Sequence, residues 1–143
     1  MEELILEQTL VLIKPDAIAN KHIGDIIKHY EEAGFKIVAM KLMQMTEKIA
    51  SIHYAEHIGK SFYDELVKFM TDDPIVAMVL EGENAIAKVR EINGATNPAN
   101  AADGTIRKLY AENGSRNAVH ASDSAESAAR EIAIFFSKVE MVG

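Results

Sequence analysis

His120 is the residue of this chain whose type and position best suit chemistry. It ends the apolar triplet Ala118-Val119-His120, stands just before the helix-start signal Ser122-Asp123-Ser124, and follows a stretch rich in cations. A neutral imidazole, with a reference pKa of about 6.5, is a competent nucleophile near pH 7, and free amides at a helix start favour negative charge nearby. A partly buried structural histidine is the alternative. Glu131 bears on the choice, because Ser124, Ser127 and Glu131 recur at i, i+3 and i+7 and share one helix face. A carboxylate there could orient one imidazole nitrogen and leave the other free for attack, although the same stripe suits the wet side of a helix. His53 and His57 stand four apart and could share a metal, but no third ligand is evident, so no metal site is assigned. His22 and His29 suit surface or helix-end positions.

An anion meeting that histidine would have to be held mainly by side chains. Gly59-Lys60-Ser61 resembles the end of GxxxxGK[ST], but the first glycine would fall at Tyr54 and no strand precedes it; no two glycines stand two apart, as GxGxxG requires. Cations gather instead between residues 84 and 122. There Lys88, Arg90, Arg107, Lys108 and Arg116 outnumber Glu91, Asp103 and Glu112, so the stretch is +2 in a chain of formal charge −7, leaving −9 elsewhere. Arginine forks give bidentate, directional contacts to phosphate oxygens. A solvated loop with the same charges is the other reading.

These residues need a scaffold, and composition bounds it. The chain's 143 residues, 48% apolar and 26% charged, fit one domain spanning 1–143, and no stretch has the composition of a linker. The lack of cysteine removes disulfide scaffolds, zinc ribbons and thiol nucleophiles, and suits a reducing compartment. The net negative charge argues against general nucleic-acid binding, which relies on a broad cationic surface. Met1-Glu2-Glu3-Leu4 has neither a basic start nor an apolar run, and nothing later approaches the ~20 apolar residues of a membrane span. A cytoplasmic protein without nucleic-acid or membrane partners is expected.

The hydrophobic pattern supplies the elements. Thr9–Ile13 reads as a buried strand ending in a turn at Lys14-Pro15-Asp16; residues 23–33 form an amphipathic helix closed by Gly34; Phe35–Met43 is a second strand. Helices are expected from Thr46 to about His57 and from Ser61 to Met70, then a strand at Ile75–Leu80, and a helix capped by Asn84 that ends at Asn93-Gly94. Residues 94–117 lack sustained periodicity, and a loop that long in a compact domain is often functional. Ala118–His120 is the fourth strand. Asp123 and Glu126 fit a capping box for a last helix that shares Ala125, Ala128, Ala129, Ile132 and Phe136 on one face. The order suits a ferredoxin-like α+β fold, βαββαβ, in which helices lie over a face of a four-stranded antiparallel sheet. A small parallel α/β sheet is the alternative.

Asn117-Ala118-Val119-His120-Ala121-Ser122-Asp123 closely resembles the active-site signature of nucleoside diphosphate kinases. Ile13-Lys14-Pro15-Asp16, His53-Tyr54, Val76-Ala77-Met78-Val79 with Glu81-Gly82, Thr96-Asn97-Pro98-Ala99 and Gly104-Thr105-Ile106-Arg107 resemble the same family, in order, along essentially the whole chain. The resemblance implies ping-pong transfer of a terminal phosphoryl group from a nucleoside triphosphate to His120 and on to a nucleoside diphosphate. It further implies that Lys14 and Asn117 hold ribose hydroxyls, with Lys14 also near the terminal phosphate, and that Phe62 stacks on the base. Arg90, Thr96 and Arg107 would bind phosphates, Tyr54 would flank the reacting group, and Glu131, supported by Ser122, would fix the His120 ring. Mg2+ would arrive with the nucleotide.

Some positions depart from the family pattern. Asn100–Asp103 lack a proline frequent in this loop, Lys108–Ser115 are unlike the familiar versions, and Ala121 stands where glycine is commoner. The chain ends soon after the last helix, so among homo-oligomers a tetramer is expected over a hexamer. A non-catalytic ferredoxin-like module that senses nucleotides or other ligands is the competing expectation.

Overall fold

Leu10–Ile13 and Ile75–Leu80 are unbroken apolar runs, and they become the two central strands of the sheet. The computed structural model describes residues 6–142. Strand β1 (Leu6–Ile13) lies between β3 (Ile75–Glu83) and β4 (Val119–Ala121), β2 (Lys36–Met43) pairs outside β3, and every pairing is antiparallel, in the order β2-β3-β1-β4. The helices are α1 (Pro15–Ala19), α2 (Ile23–Glu32), α3 (Glu47–His53), α4 (Tyr63–Asp72), α5 (Ala85–Asn93), α6 (Ile106–Tyr110) and α7 (Ala125–Phe135). This is the ferredoxin-like α+β arrangement.

Helices cover both faces of the sheet rather than one. Val11, Ile13, Val76 and Met78 pack with Ala17, Ile26, Tyr30, Val89 and Ile106, while Leu10, Leu12, Ala77 and Val79 pack with Ala50, Met70 and Phe135 on the other side. The reason is visible in β1 and β3, whose runs lack the apolar–polar alternation of a sheet with one wet face.

Local signals held to different degrees. Gly34 takes φ +96°, the left-handed conformation a glycine closes a helix with. The turn expected at Lys14-Pro15-Asp16 is instead the start of α1, with Pro15 in the first turn, where its missing N–H costs no hydrogen bond. Asn84 does not cap α5 with its side chain: it sits at φ +49°, and the amide of Ile86 donates to Glu7 Oε1 at 3.3 Å. At α7 the cap is Ser124, whose Oγ accepts from Ser127 N at 3.0 Å, not Asp123. The helix expected to reach about His57 ends at His53 and gives way to a 3-10 turn at Ala55–His57. The aperiodic stretch 94–117 contains a 3-10 turn, Pro98–Asn100, and α6, capped by Thr105; each is too short to leave a helical period in the sequence.

Candidate active site

The short strand β4 carries His120 to the edge of the sheet, and α7 returns a carboxylate to it 11 positions further along the chain. His120 Nε2 lies 2.7 Å from Glu131 Oε1, the same oxygen accepts from Ser122 Oγ at 3.2 Å, and Ser122 Oγ in turn accepts from Leu10 N at 3.1 Å. Ser122 N donates to Leu10 O at 3.1 Å, so the residue both extends the β1–β4 ladder and donates a hydrogen bond to the carboxylate. A carboxylate only accepts, which places the imidazole proton on Nε2 and leaves Nδ1 with its lone pair. Glu131 is 5% exposed. Burial would raise its pKa, but hydrogen bonds from His120 and Ser122 with the charge near His120 outweigh it and hold the carboxyl below the usual range.

Cations surround this histidine. Lys14, at the end of β1, donates from Nζ to Asn117 Oδ1 at 2.8 Å, and Asn117 Nδ2 donates to Gly114 O at 3.1 Å and to Thr96 O at 3.3 Å. Arg107, from α6, donates to Gly94 O and to Val119 O, both at 2.8 Å, and so ties the loop after α5 to the strand that carries the histidine. Gly94 permits this approach: at φ +87° it lacks a Cβ that would stand 2.5 Å from Thr105 Oγ1. Arg90 lines the same end of the cleft.

The cleft runs outward between Tyr54, Leu66 and Phe62 on one side and Thr96 with residues 113–117 on the other. Phe62 lies at its mouth, 45% exposed. Of the residues singled out in the sequence, Lys14, Tyr54, Phe62, Arg90, Thr96, Arg107, Asn117, His120 and Glu131 all line this cleft, and Ser122 is buried beneath Glu131. Burial and the Glu131 charge raise the Tyr54 phenol, which is therefore a neutral donor at ordinary pH.

His53 is the site residue to which sequence reasoning gave no role. It does not converge with His57, which packs against Phe62 at 5.3 Å between ring centroids. The His53 ring instead meets His120 edge-on at 5.1 Å and Phe135 at 5.3 Å, and burial followed by the nearness of His120 brings its pKa down to about 3. It is thus a neutral wall beside His120. Among the described residues His53, His120 and Glu131 come within 4.8 Å as possible metal ligands, but Glu131 Oε1 is engaged by His120 and Ser122, and Lys14 and Arg130 oppose positive charge there. Neighbouring Tyr54 was the only sequence signal for His53.

Lys14 offers a quantitative test of the site's electrostatics. Burial, then the Arg107 guanidinium, lower its pKa to about 8. A lysine of the unfolded chain titrates near 10.4, so between about pH 8 and 10 the unfolded state binds more protons and folding stability rises with pH. Discounted for the partial exposure of the side chain, this amounts to about 1–2 kcal/mol. Urea unfolding at pH 7 and pH 9.5 is expected to show that gain in the wild type relative to Lys14→Met; parallel curves would mean that the ammonium is not destabilised.

The chain is similar to known proteins over nearly its full length. The family model described as nucleoside diphosphate kinase matches residues 7–141. The nucleoside diphosphate kinase of Persephonella marina is 55% identical over 137 residues, 96% of this chain and 98% of that protein, and that of Paracoccus denitrificans is 55% identical over 140 residues, 98% and 100%. The Aquifex aeolicus nucleoside diphosphate kinase in an orthorhombic crystal form superposes with a TM-score of 0.94 at 42% identity, covering 96% of this chain and 100% of that one. A halophilic nucleoside diphosphate kinase from Halobacterium salinarum in complex with CDP gives 0.93 at 44% identity, covering 96% and 91%. With a histidine held by a buried carboxylate in a cation-lined cleft and these likenesses from end to end, the chain belongs to the nucleoside diphosphate kinase family.

Proposed function

We propose that the kinase works through a phosphohistidine at His120, in two half-reactions that share one cleft. His120 Nδ1 attacks the terminal phosphorus of a nucleoside triphosphate in line; the N–P bond forms, the P–O bond to the leaving diphosphate breaks, and the Nε2 proton stays between His120 and Glu131. A terminal phosphate oxygen of a second nucleoside diphosphate then attacks that phosphorus and frees the imidazole. The observation that carries this reading is the chain Leu10 N, Ser122 Oγ, Glu131 Oε1, His120 Nε2, which fixes the ring's tautomer and meets the positive charge developing on it with a fixed negative one.

Phosphoryl transfer depends mainly on positioning and on neutralising charge over the transferred oxygens. Arg90, Arg107, Thr96 and Lys14 would do this at the phosphate end, Tyr54 would flank the reacting group, and Lys14 with Asn117 would hold the ribose. Asp123 lines that end too, its carboxyl held low first by Ser127. One such carboxylate with phosphate oxygens and waters fits Mg2+, which would arrive with the nucleotide and neutralise phosphate charge when bound. Phe62 would stack on the base, a contact that tolerates every base because each has a π-face. Phe62→Ala is expected to raise KM about tenfold with kcat held; unchanged kinetics would remove the stacking role.

The test is incubation with ATP labelled at the terminal phosphate. An acid-labile, alkali-stable phosphoprotein that a nucleoside diphosphate discharges supports the mechanism. Nucleotide binding without labelling would favour a sensing module. Exposed Met40 and Leu42 on the outer strand β2 support a homo-oligomer, whose order light scattering would measure. No helix among the described residues is long and apolar enough to cross a membrane; a cytoplasmic location rests on this with the cysteine-free composition.

A further inference from the structure

Ala118 joins Asn117 to the strand that carries His120, and its backbone stands at φ +73° although it has a Cβ. Val119 N donates to Asn117 O across it at 2.8 Å. An i to i+2 bond around a positive φ defines a γ-turn of the rare, strained hand. Strain of this kind persists only where the surroundings over-determine it. Here one short segment does so from both sides: Lys14 N donates to Ala118 O at 2.8 Å, and Ala118 N donates to Asp16 Oδ2 at 3.0 Å.

Asp16 is 2% exposed, Ala118 is fully buried, and the bond between them closes 102 positions of sequence. Burial raises the Asp16 carboxyl above its ordinary range, while the Ala118 amide acts in the opposite direction. No step of the phosphoryl exchange needs this carboxylate. Its visible task is the turn, and the turn separates two cleft-lining side chains: Asn117, bonded to Lys14 Nζ on one side, and His120, bonded to Glu131 on the other.

We infer that Asp16 is a positioning residue for the exchange: by holding Ala118 in a left-handed γ-turn, it sets the angle at which Asn117 and His120 face a bound nucleotide. This rests on the histidine mechanism proposed above. If the turn relaxes towards an ordinary φ, Asn117 and β4 shift relative to one another, and misplacement by about 1 Å can cost about a hundredfold in rate.

Glycine adopts positive φ without a steric penalty, so removing the Ala118 methyl group makes the clamp dispensable. Asp16→Ala is expected to lower kcat between about tenfold and a hundredfold, with a smaller change in KM. The double variant Asp16→Ala/Ala118→Gly is expected to recover about tenfold of that loss. Loss of a hydrogen bond that merely stabilised the fold would lower the urea midpoint of Asp16→Ala without moving kcat of the folded enzyme or the His120 resonances. In the nucleotide-free protein, the His120 imidazole 15N resonances are expected to move in Asp16→Ala and to return in the double variant. Ala118→Gly alone is expected to raise the urea midpoint, where the same change at an ordinary φ lowers it.

A wild-type kcat in Asp16→Ala, or a folded double variant without recovery, overturns the inference. Should Asp16→Ala fail to fold, a double variant that folds and exchanges phosphate upholds it, and one that also fails to fold, or a lowered midpoint in Ala118→Gly, overturns it. If the wild type forms no phosphohistidine, the histidine mechanism fails, and the imidazole resonances still decide whether Asp16 positions the ring.

Discussion

His120→Ala is expected to abolish the labelled phosphoprotein and to lower phosphoryl exchange on the order of 10⁴-fold or more, since removing the nucleophile removes the covalent route itself. Nucleotide binding should survive within a few fold, because the side chains proposed to hold phosphate and ribose, Arg90, Arg107, Lys14 and Asn117, come from α5, α6, the end of β1 and the turn before β4. Calorimetric titration with ADP and a discharge assay separate the two effects. The fold should tolerate the change, as His120 is part-exposed on a three-residue edge strand. Its partner will respond: without the imidazole, Glu131 keeps the Ser122 donor but loses the stronger one. A carboxyl depressed in the folded state contributes stability above its unfolded pKa and loses it as pH falls through the folded value. His120→Ala should therefore lose less stability than the wild type when acidified through the carboxylate range. Residual labelling in this variant would point to another nucleophile.

What could be read in advance divides along physical lines. Helix α2 was legible because Ile23, Ile26, Ile27 and Tyr30 recur at a helical period, and the central strands because Thr9–Ile13 and Ile75–Leu80 are apolar runs too short for a buried helix and bounded by turn residues. His120 could be singled out as the candidate nucleophile because motif, strand end and helix start coincide there. The Glu131 stripe could be seen but not interpreted: nothing in i, i+3, i+7 spacing says whether a face meets water or a histidine, and only the packing of α7 against β1 settled that Glu131 is buried. Helix ends failed for a related reason. At α5 the donor Ile86 N is met by Glu7, 79 positions away, so no local rule about Asn84 could find it. His53 could only be weighed as half of an i, i+4 pair and was left without a role, because spacing carries no information about which face the sheet covers. Asp16 gave no signal beyond its place in Ile13-Lys14-Pro15-Asp16, for its partner is a backbone amide at residue 118, and a backbone amide has no signature in sequence.

Glu131→Gln is expected to lower kcat about a hundredfold or more while leaving KM for nucleotides nearly unchanged. The isostere keeps the shape of the side chain and splits its two acceptors into one acceptor and one donor. In the native site Oε1 takes bonds from both His120 and Ser122, and Oε2 lies 3.7 Å from the Arg130 guanidinium. If the amide oxygen faces His120 and Ser122, the amide NH2 group faces Arg130, donor against cation. If the amide turns over to relieve this, its NH2 group confronts Nε2, the imidazole proton moves to Nδ1, and the lone pair needed for attack is gone. The Ser122 hydroxyl then loses its acceptor as well, since Leu10 N already donates to its oxygen. Either arrangement also removes the negative charge that meets the imidazolium as the N–P bond forms. The tautomer supplies the readout that a loss of stability alone would not move. Imidazole 15N shifts of His120 should report Nε2–H in the wild type and a share of Nδ1–H in Glu131→Gln, with the fall in kcat following that share and the loss of charge. An unchanged tautomer together with full kcat would show that the carboxylate does not orient the nucleophile.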